Sequence, residues 1–190
     1  MQKNIDLIHK SLSLPDNIAS GVSSRIKLHP HGLGAKNQTC IIFSDDHNEG
    51  DGHVKCVGVE KESDLKIPRN YSVRGRIPVY RLDDVVDTAG MHIVAAKMDT
   101  EGYEDNVLEG GRKVLLGLEG VQDAIITEFA PKWITEKGGD PTSAMKKIFE
   151  AGFLVKKTVG YMSENDMMDM TKFSDRSDLV LHSQSYRSRK

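Results

Sequence analysis

His92-Ile93-Val94-Ala95-Ala96-Lys97-Met98-Asp99-Thr100-Glu101-Gly102-Tyr103-Glu104 is the stretch whose reading decides the fold. Residues 92–96 form an apolar run of the kind expected for a parallel strand covered on both faces. Over residues 104–116, Val107, Leu108, Gly111, Val114 and Leu115 fall on one face of a helix. Strand, polar turn and helix thus follow one another. Downstream, residues 124–129 read as a second buried strand, and Asp140-Pro141 opens another helix. Asp caps well, and Pro is favoured at the first helical position. Met145, Ile148 and Phe149 make that helix's apolar stripe, and Gly152 suits its left-handed end. Residues 153–159 and 178–182 supply the last strands. Such alternation predicts a parallel α/β sheet.

Upstream the pattern is different. Residues 2–13 read as a helix with Ile5, Ile8 and Leu12 on one stripe, ended by Pro15. Residues 16–24 read as a polar loop, and residues 25–30 alternate polar and apolar as a strand does. Residues 39–44 and 53–58 are strand candidates around the polar stretch 45–52, which predicts a β-hairpin. With Ser44 opposite His53, Cys40 falls within one step of Cys56, so the two cysteines are expected to be neighbours, as free thiols. Residues 60–76 lack periodicity and read as a surface excursion; residues 79–81 are extended, and residues 82–86 form a turn or two of helix. Met162, Met167, Met168 and Met170 fall in a loop that reads as a flexible lid or surface irregularity. Residues 1–182 make one domain, and residues 183–190 a basic, frayed tail.

Composition narrows the function classes. The 190 residues carry 26 Lys plus Arg against 28 Asp plus Glu, a net charge of −2, which argues against a generally basic nucleic-acid binder. Two cysteines make no disulfide scaffold, and no run approaches the ~18 apolar residues of a membrane span. The composition reads as cytoplasmic in type, with localisation otherwise open.

The chemistry concentrates in Lys97-Met98-Asp99-Thr100-Glu101-Gly102-Tyr103-Glu104, because ligands of open α/β sheets bind outside the carboxyl ends of the strands. Alternation places residues 97, 99 and 101 on one side, with Lys97 beside Asp99. Glu101 and Glu104 lie where a helix N-terminus favours negative charge by ~0.3–1 kcal/mol. Helix capping plus an ion pair is the structural alternative. Glu128 ends the next strand and brings a further carboxylate to the same edge. Trp133, just beyond, is a candidate for the rim of a substrate pocket. No metal site is expected: His29 and His31 lack a third ligand, and the acidic loop lacks the calcium-loop pattern.

Val79-Tyr80-Arg81-Leu82-Asp83-Asp84, Lys97-Met98-Asp99-Thr100-Glu101-Gly102-Tyr103-Glu104 and Val107-Leu108-Glu109-Gly110-Gly111 resemble the C-terminal half of FkbM-type methyltransferases. Glu128, Ala151-Gly152-Phe153 and Ser177-Asp178-Leu179 fit the same pattern. Arg25-Ile26-Lys27-Leu28-His29-Pro30 with Gly32-Leu33-Gly34 is similar to that family's third strand and the turn after it. The resemblance implies a Rossmann-like class I methyltransferase fold with an inserted β-hairpin, S-adenosylmethionine as cofactor, and methylation of a hydroxyl on a small molecule or carbohydrate. It makes Asp99 the first choice for the catalytic site, with Glu101 and Glu128 next, and Lys97, Glu104 and Trp133 at its rim. Family members open with a strand, a glycine-rich turn and a helix for the methionine part of the cofactor, then a second strand whose carboxylate grips the ribose. This sequence shows neither, so an N-terminally truncated fold is expected. A chain of this kind exposes the edge of residues 92–96, inviting self-association, and fails to bind S-adenosylmethionine. A non-catalytic remnant acting through protein contact is the alternative.

Overall fold

The computed structural model describes residues 2–48, 52–56 and 67–189. It is an α/β structure with two sheets, and its contacts divide the chain into two compact units. One comprises Met1–Gly32 with Thr39–Pro78, the other Leu33–Gln38 with Val79–Lys190. No helix among the described residues is long and apolar enough to cross a membrane.

The first unit opens with α1 (Gln2–Leu12), α2 (Pro15–Ala19) and α3 (Val22–Arg25). Pro15 therefore begins a helix rather than leading into a loop. It occupies the first helical position, where its missing N–H costs nothing. The strand expected at residues 25–30 does not form: Arg25 closes α3, and Ile26 stays exposed. Alternation alone gives a strand no partner to bond to. The short β1 (Gly32–Leu33) follows, then β2 (Gln38–Asp45) and β3 (Gly52–Lys55), the expected antiparallel hairpin. Its register is one step from the one expected. Ile41 lies opposite Lys55 and Ser44 opposite Gly52, which sets Cys40 directly across from Cys56. Their Cα atoms are 4.2 Å apart, and the two sulfurs are joined in a disulfide, correcting the expectation of free thiols. Direct opposition at the close spacing of an antiparallel ladder brings the sulfurs into bonding reach.

β4 (Tyr71–Tyr80) pairs beside β2. The expected surface excursion thus ends at residue 70; its earlier part, residues 60–66, lies outside the described residues. Gly75, at φ +140°, and Pro78 obscure the strand in sequence, yet Ile77 and Val79 are buried on one face of it. Ile41 and Phe43 of β2 form a small core with Ile67, Tyr71 and Val73.

The second unit holds α4 (Leu82–Val85), β5 (Ile93–Met98), α5 (Glu104–Gly110), α6 (Arg112–Leu116), β6 (Val121–Phe129), α7 (Pro131–Glu136), α8 (Pro141–Glu150), β7 (Leu154–Val155), α9 (Glu164–Met168), β8 (Ser177–His182) and α10 (Gln184–Ser188). Its sheet runs β5-β6-β8-β7. β5 and β6 are parallel, as expected, but β8 is antiparallel to β6 and to β7, so the sheet is mixed. β5 is an edge strand, and Val94 is 53% exposed rather than covered. Leu108, Ile125, Ile134, Met145, Ile148 and Leu181 fill the core. Met167 joins them, fully buried on α9, so this part of the methionine cluster is core rather than lid. Asp140 caps α8 as its sequence announces, accepting from the Thr142 amide at 2.9 Å. Lys147 of α8 ties that helix to α5 through Asp105 at 2.7 Å and Glu109 at 3.1 Å. Burial pulls the Lys147 pKa down, but hydrogen bonds and charges from the two carboxylates outweigh it and hold the ammonium above its ordinary value.

Several residues that carried the family resemblance have structural tasks here. Asp83 caps α6 from outside the helix, accepting from the amides of Lys113 at 3.1 Å and Val114 at 3.0 Å. The expected single helix over 104–116 breaks into α5 and α6 at Gly111, where a Cβ would lie 2.9 Å from Leu82. At Gly110 a Cβ would lie 1.9 Å from the Gly34 carbonyl oxygen, so two backbones meet where no side chain fits. Gly34 donates its N–H to the Tyr80 carbonyl at 2.9 Å, and the chain then runs into a strand, β2. His31-Gly32-Leu33-Gly34 is therefore a strand end and a packing contact, not a loop opening a helix.

Candidate functional site

β5 and β6 deliver their side chains to one edge of the sheet. The parallel register pairs Lys97 with Ile126 and Met98 with Thr127, so Asp99 and Glu128 are the next residues on the two strands. Asp99, Glu101 and Glu128 come together: one carboxylate oxygen from each lies within 4.8 Å of the other two. These are the three residues to which the sequence assigned the chemistry.

The turn after β5 explains how Glu101 reaches this group. Glu101 (φ +50°) and Gly102 (φ +90°) are both left-handed, reversing the chain before α5. At Gly102 a Cβ would lie 2.7 Å from the Trp133 backbone, so the turn sits flush on α7 only with glycine there. Glu104 locks the turn from beneath. Almost wholly buried, it accepts from the Thr100 hydroxyl at 2.9 Å and from the Gly102 amide at 3.2 Å. Its other oxygen, Oε2, is buried without a hydrogen-bond partner among the described residues. Glu104 thus belongs beneath the site and not at an open rim.

The charges differ in setting. Lys97 reaches Asp99 at 2.5 Å, as alternation predicts, and both are largely exposed. Such a pair contributes about 0–1 kcal/mol to stability. Glu128 is buried, its side chain 5% exposed, and forms an ion pair with Arg176 from the turn before β8. The Arg176 guanidinium also lies 5.8 Å from the centre of the Trp133 ring, a cation–π contact that links Trp133 to the carboxylates indirectly. Arg176 is the site residue that sequence reasoning missed. A signal existed: a carboxylate ending a buried strand needs a counter-charge, and Arg176 stands two residues before Asp178, the residue facing Glu128 across the antiparallel ladder.

The capping alternative for Asp99 and Glu101 is not realised. Among the described residues, neither side chain hydrogen-bonds an α5 amide, and α5 has no side-chain cap. Beside β5 a cavity of about 500 Å³ opens, with Leu33, Leu82, Val86, Ile93 and Ala96 along it and Asp99 in its wall. Asp99 and Lys97 therefore border a mainly aliphatic space, and Asp99 in turn meets the carboxylates of Glu101 and Glu128. Carboxylates so placed can accept a proton from a hydroxyl. Their oxygens are close enough to share a cation, since opposite ligands of a calcium ion stand about 4.6–5.2 Å apart, twice a 2.3–2.6 Å bond. Lys97 and Arg176 already neutralise two of the three charges.

Comparison with family models, curated proteins and solved structures finds no match.

Proposed function

We propose that this chain is a methyltransferase-family domain in which Asp99, Glu101 and Glu128 form the proton-accepting side of a site that methylates a hydroxyl on a small molecule or carbohydrate. The observation that carries this reading is the convergence of the three carboxylates at the carboxyl ends of β5 and β6, next to an aliphatic cavity. Other residues of the resemblance have tasks in the fold. Asp83 caps α6, Gly110 and Gly111 permit close packing, and Glu104 locks a turn. Asp99 makes the ion pair of the structural alternative with Lys97, and its convergence with Glu101 and Glu128 is what supports a chemical role.

Asp99 is the base in this reading. It is accessible, lies in the cavity wall and is paired with the adjacent ammonium of Lys97. Glu128, buried and paired with Arg176, lies beneath Asp99 and Glu101 and contributes negative charge to the group. S-adenosylmethionine is the methyl donor implied by the resemblance. The described residues do not fit it: residues 2–25 are helical rather than the strand, glycine-rich turn and helix with which the family opens, and the carboxylate in the cavity wall, Asp99, is paired with Lys97. Anchors for the donor would then come from outside the described residues.

The test is transfer of a labelled methyl group from S-adenosylmethionine by the natural protein that carries residues 1–190, against small-molecule and glycan fractions of its own cells. Label is expected in a hydroxyl-bearing acceptor as a base-stable ether. Absence of transfer to every fraction would favour the second reading, a non-catalytic interaction fragment. The exposed edge of β5 is the observation on that side, since an unpaired strand edge can accept another chain.

A further inference from the structure

We propose that Asn70 is an N-glycan acceptor and that this chain folds in an oxidising secretory compartment. The inference is independent of the proposed function. Asn70-Tyr71-Ser72 is an acceptor sequence for N-linked glycosylation, with a residue other than proline in the middle. Such a tripeptide is common, so it carries weight only with independent support, and the structure provides two further observations.

The first is the disulfide between Cys40 and Cys56 on neighbouring strands of the same unit. Disulfides form and persist where the surroundings are oxidising and are rare where glutathione keeps thiols reduced. N-glycosylation belongs to the same lumenal compartments, so the two signals agree without depending on one another. The second is the setting of Asn70. It is exposed, in a left-handed turn (φ +71°) immediately before β4. Its backbone carbonyl is used, accepting from the Asp46 amide at 2.8 Å, while its side-chain amide makes no hydrogen bond among the described residues. A bulky polar sugar can therefore leave the surface there without breaking a side-chain hydrogen bond among the described residues.

Asn37-Gln38-Thr39 is a second sequence of the same form and serves as an internal control. The Asn37 amide is used at both ends. Its oxygen accepts from the Arg81 backbone N–H at 2.9 Å, and its nitrogen donates to Asp84 at 3.2 Å. Asn37 is built into the fold; Asn70 is not.

The co-reactant is an oligosaccharide linked to a polyprenyl diphosphate. A bond forms between Nδ2 of Asn70 and C1 of the first sugar, and the bond from C1 to the diphosphate oxygen breaks. One amide proton is lost, and the lipid diphosphate leaves.

The chain as made in its own cells tests this. It is denatured, treated with a peptide N-glycosidase in oxygen-18 water and then cut with trypsin. The peptide of residues 70–74 is expected with labelled Asp in place of Asn70, and to be missing in its unglycosylated form from an untreated sample. Recovery of that peptide with unmodified Asn70 in full amount before treatment would overturn the proposal, as would a glycan on Asn37 alone. Expressed in the same cells, Asn70→Gln and Ser72→Ala should each abolish the glycan mass, while Ser72→Thr keeps it. A glycan mass that survives both Asn70→Gln and Ser72→Ala contradicts the assignment.

Discussion

Asp99→Asn is expected to lower methyl transfer by the natural protein by about 10²–10⁴-fold, the usual contribution of a positioned general base. Stability should barely change. The substitution keeps the size of the side chain and removes only an exposed ion pair with Lys97, worth about 0–1 kcal/mol. For a chain of this length that corresponds to a melting shift of no more than ~2–4 °C. The amide cannot accept the proton, yet it can still hydrogen-bond an acceptor, so the loss should fall on turnover more than on binding. Measuring turnover and thermal unfolding on the same preparations checks this. A large fall in melting temperature with normal turnover per folded molecule would make Asp99 a structural residue.

Loss of the disulfide is expected to have the largest effect on stability. The bridge spans 16 residues, and closing a loop of that size contributes about 3 kcal/mol through the unfolded state. Among the described residues around the hairpin, Ile41 and Phe43 form a buried cluster with Ile67, Tyr71 and Val73 against it. Cys40→Ala with Cys56→Ala, or reduction of the parent, should move urea unfolding of this unit to lower denaturant, followed by near-ultraviolet signals from Tyr71. The second unit contains neither cysteine and should keep its transition. Identical curves with and without reductant would contradict the contribution assigned to the bridge.

The parts of the fold that were legible in sequence are those where local pattern and tertiary environment agree. β6 and α8 fall in this class, and β5 in its position though not in its expected burial on both faces; Asp140-Pro141 does at α8 what those residues do at any helix start. The hairpin was legible too, but its register was fixed only by pairing, and one step decided whether Cys40 and Cys56 faced each other. β4 was hidden by Gly75 and Pro78, which weaken a strand locally while neighbouring strands restore it. Residues 25–30 failed in the opposite sense, since alternation had no partner strand to satisfy it. The convergence of Asp99, Glu101 and Glu128 was legible because position at or just beyond a strand's carboxyl end is a local property. Arg176 was not, because its importance comes from the buried charge of Glu128, contributed by another strand. Glu104 was placed at the rim because sequence cannot say which side of a turn a first-turn carboxylate takes. Here it turned inward, under Gly102.

On the proposed function, the described residues carry the acceptor side of a methyl-transfer site without the anchors for the donor. Calorimetric titration of S-adenosylmethionine into the 190-residue chain tests this most directly. At micromolar protein and ligand, no saturable heat is predicted, because the described residues do not form the strand, glycine-rich turn and helix with which the family opens, and Asp99 in the cavity wall is paired with Lys97. A saturable signal with one site per chain would contradict it and would place the donor's anchors within these residues.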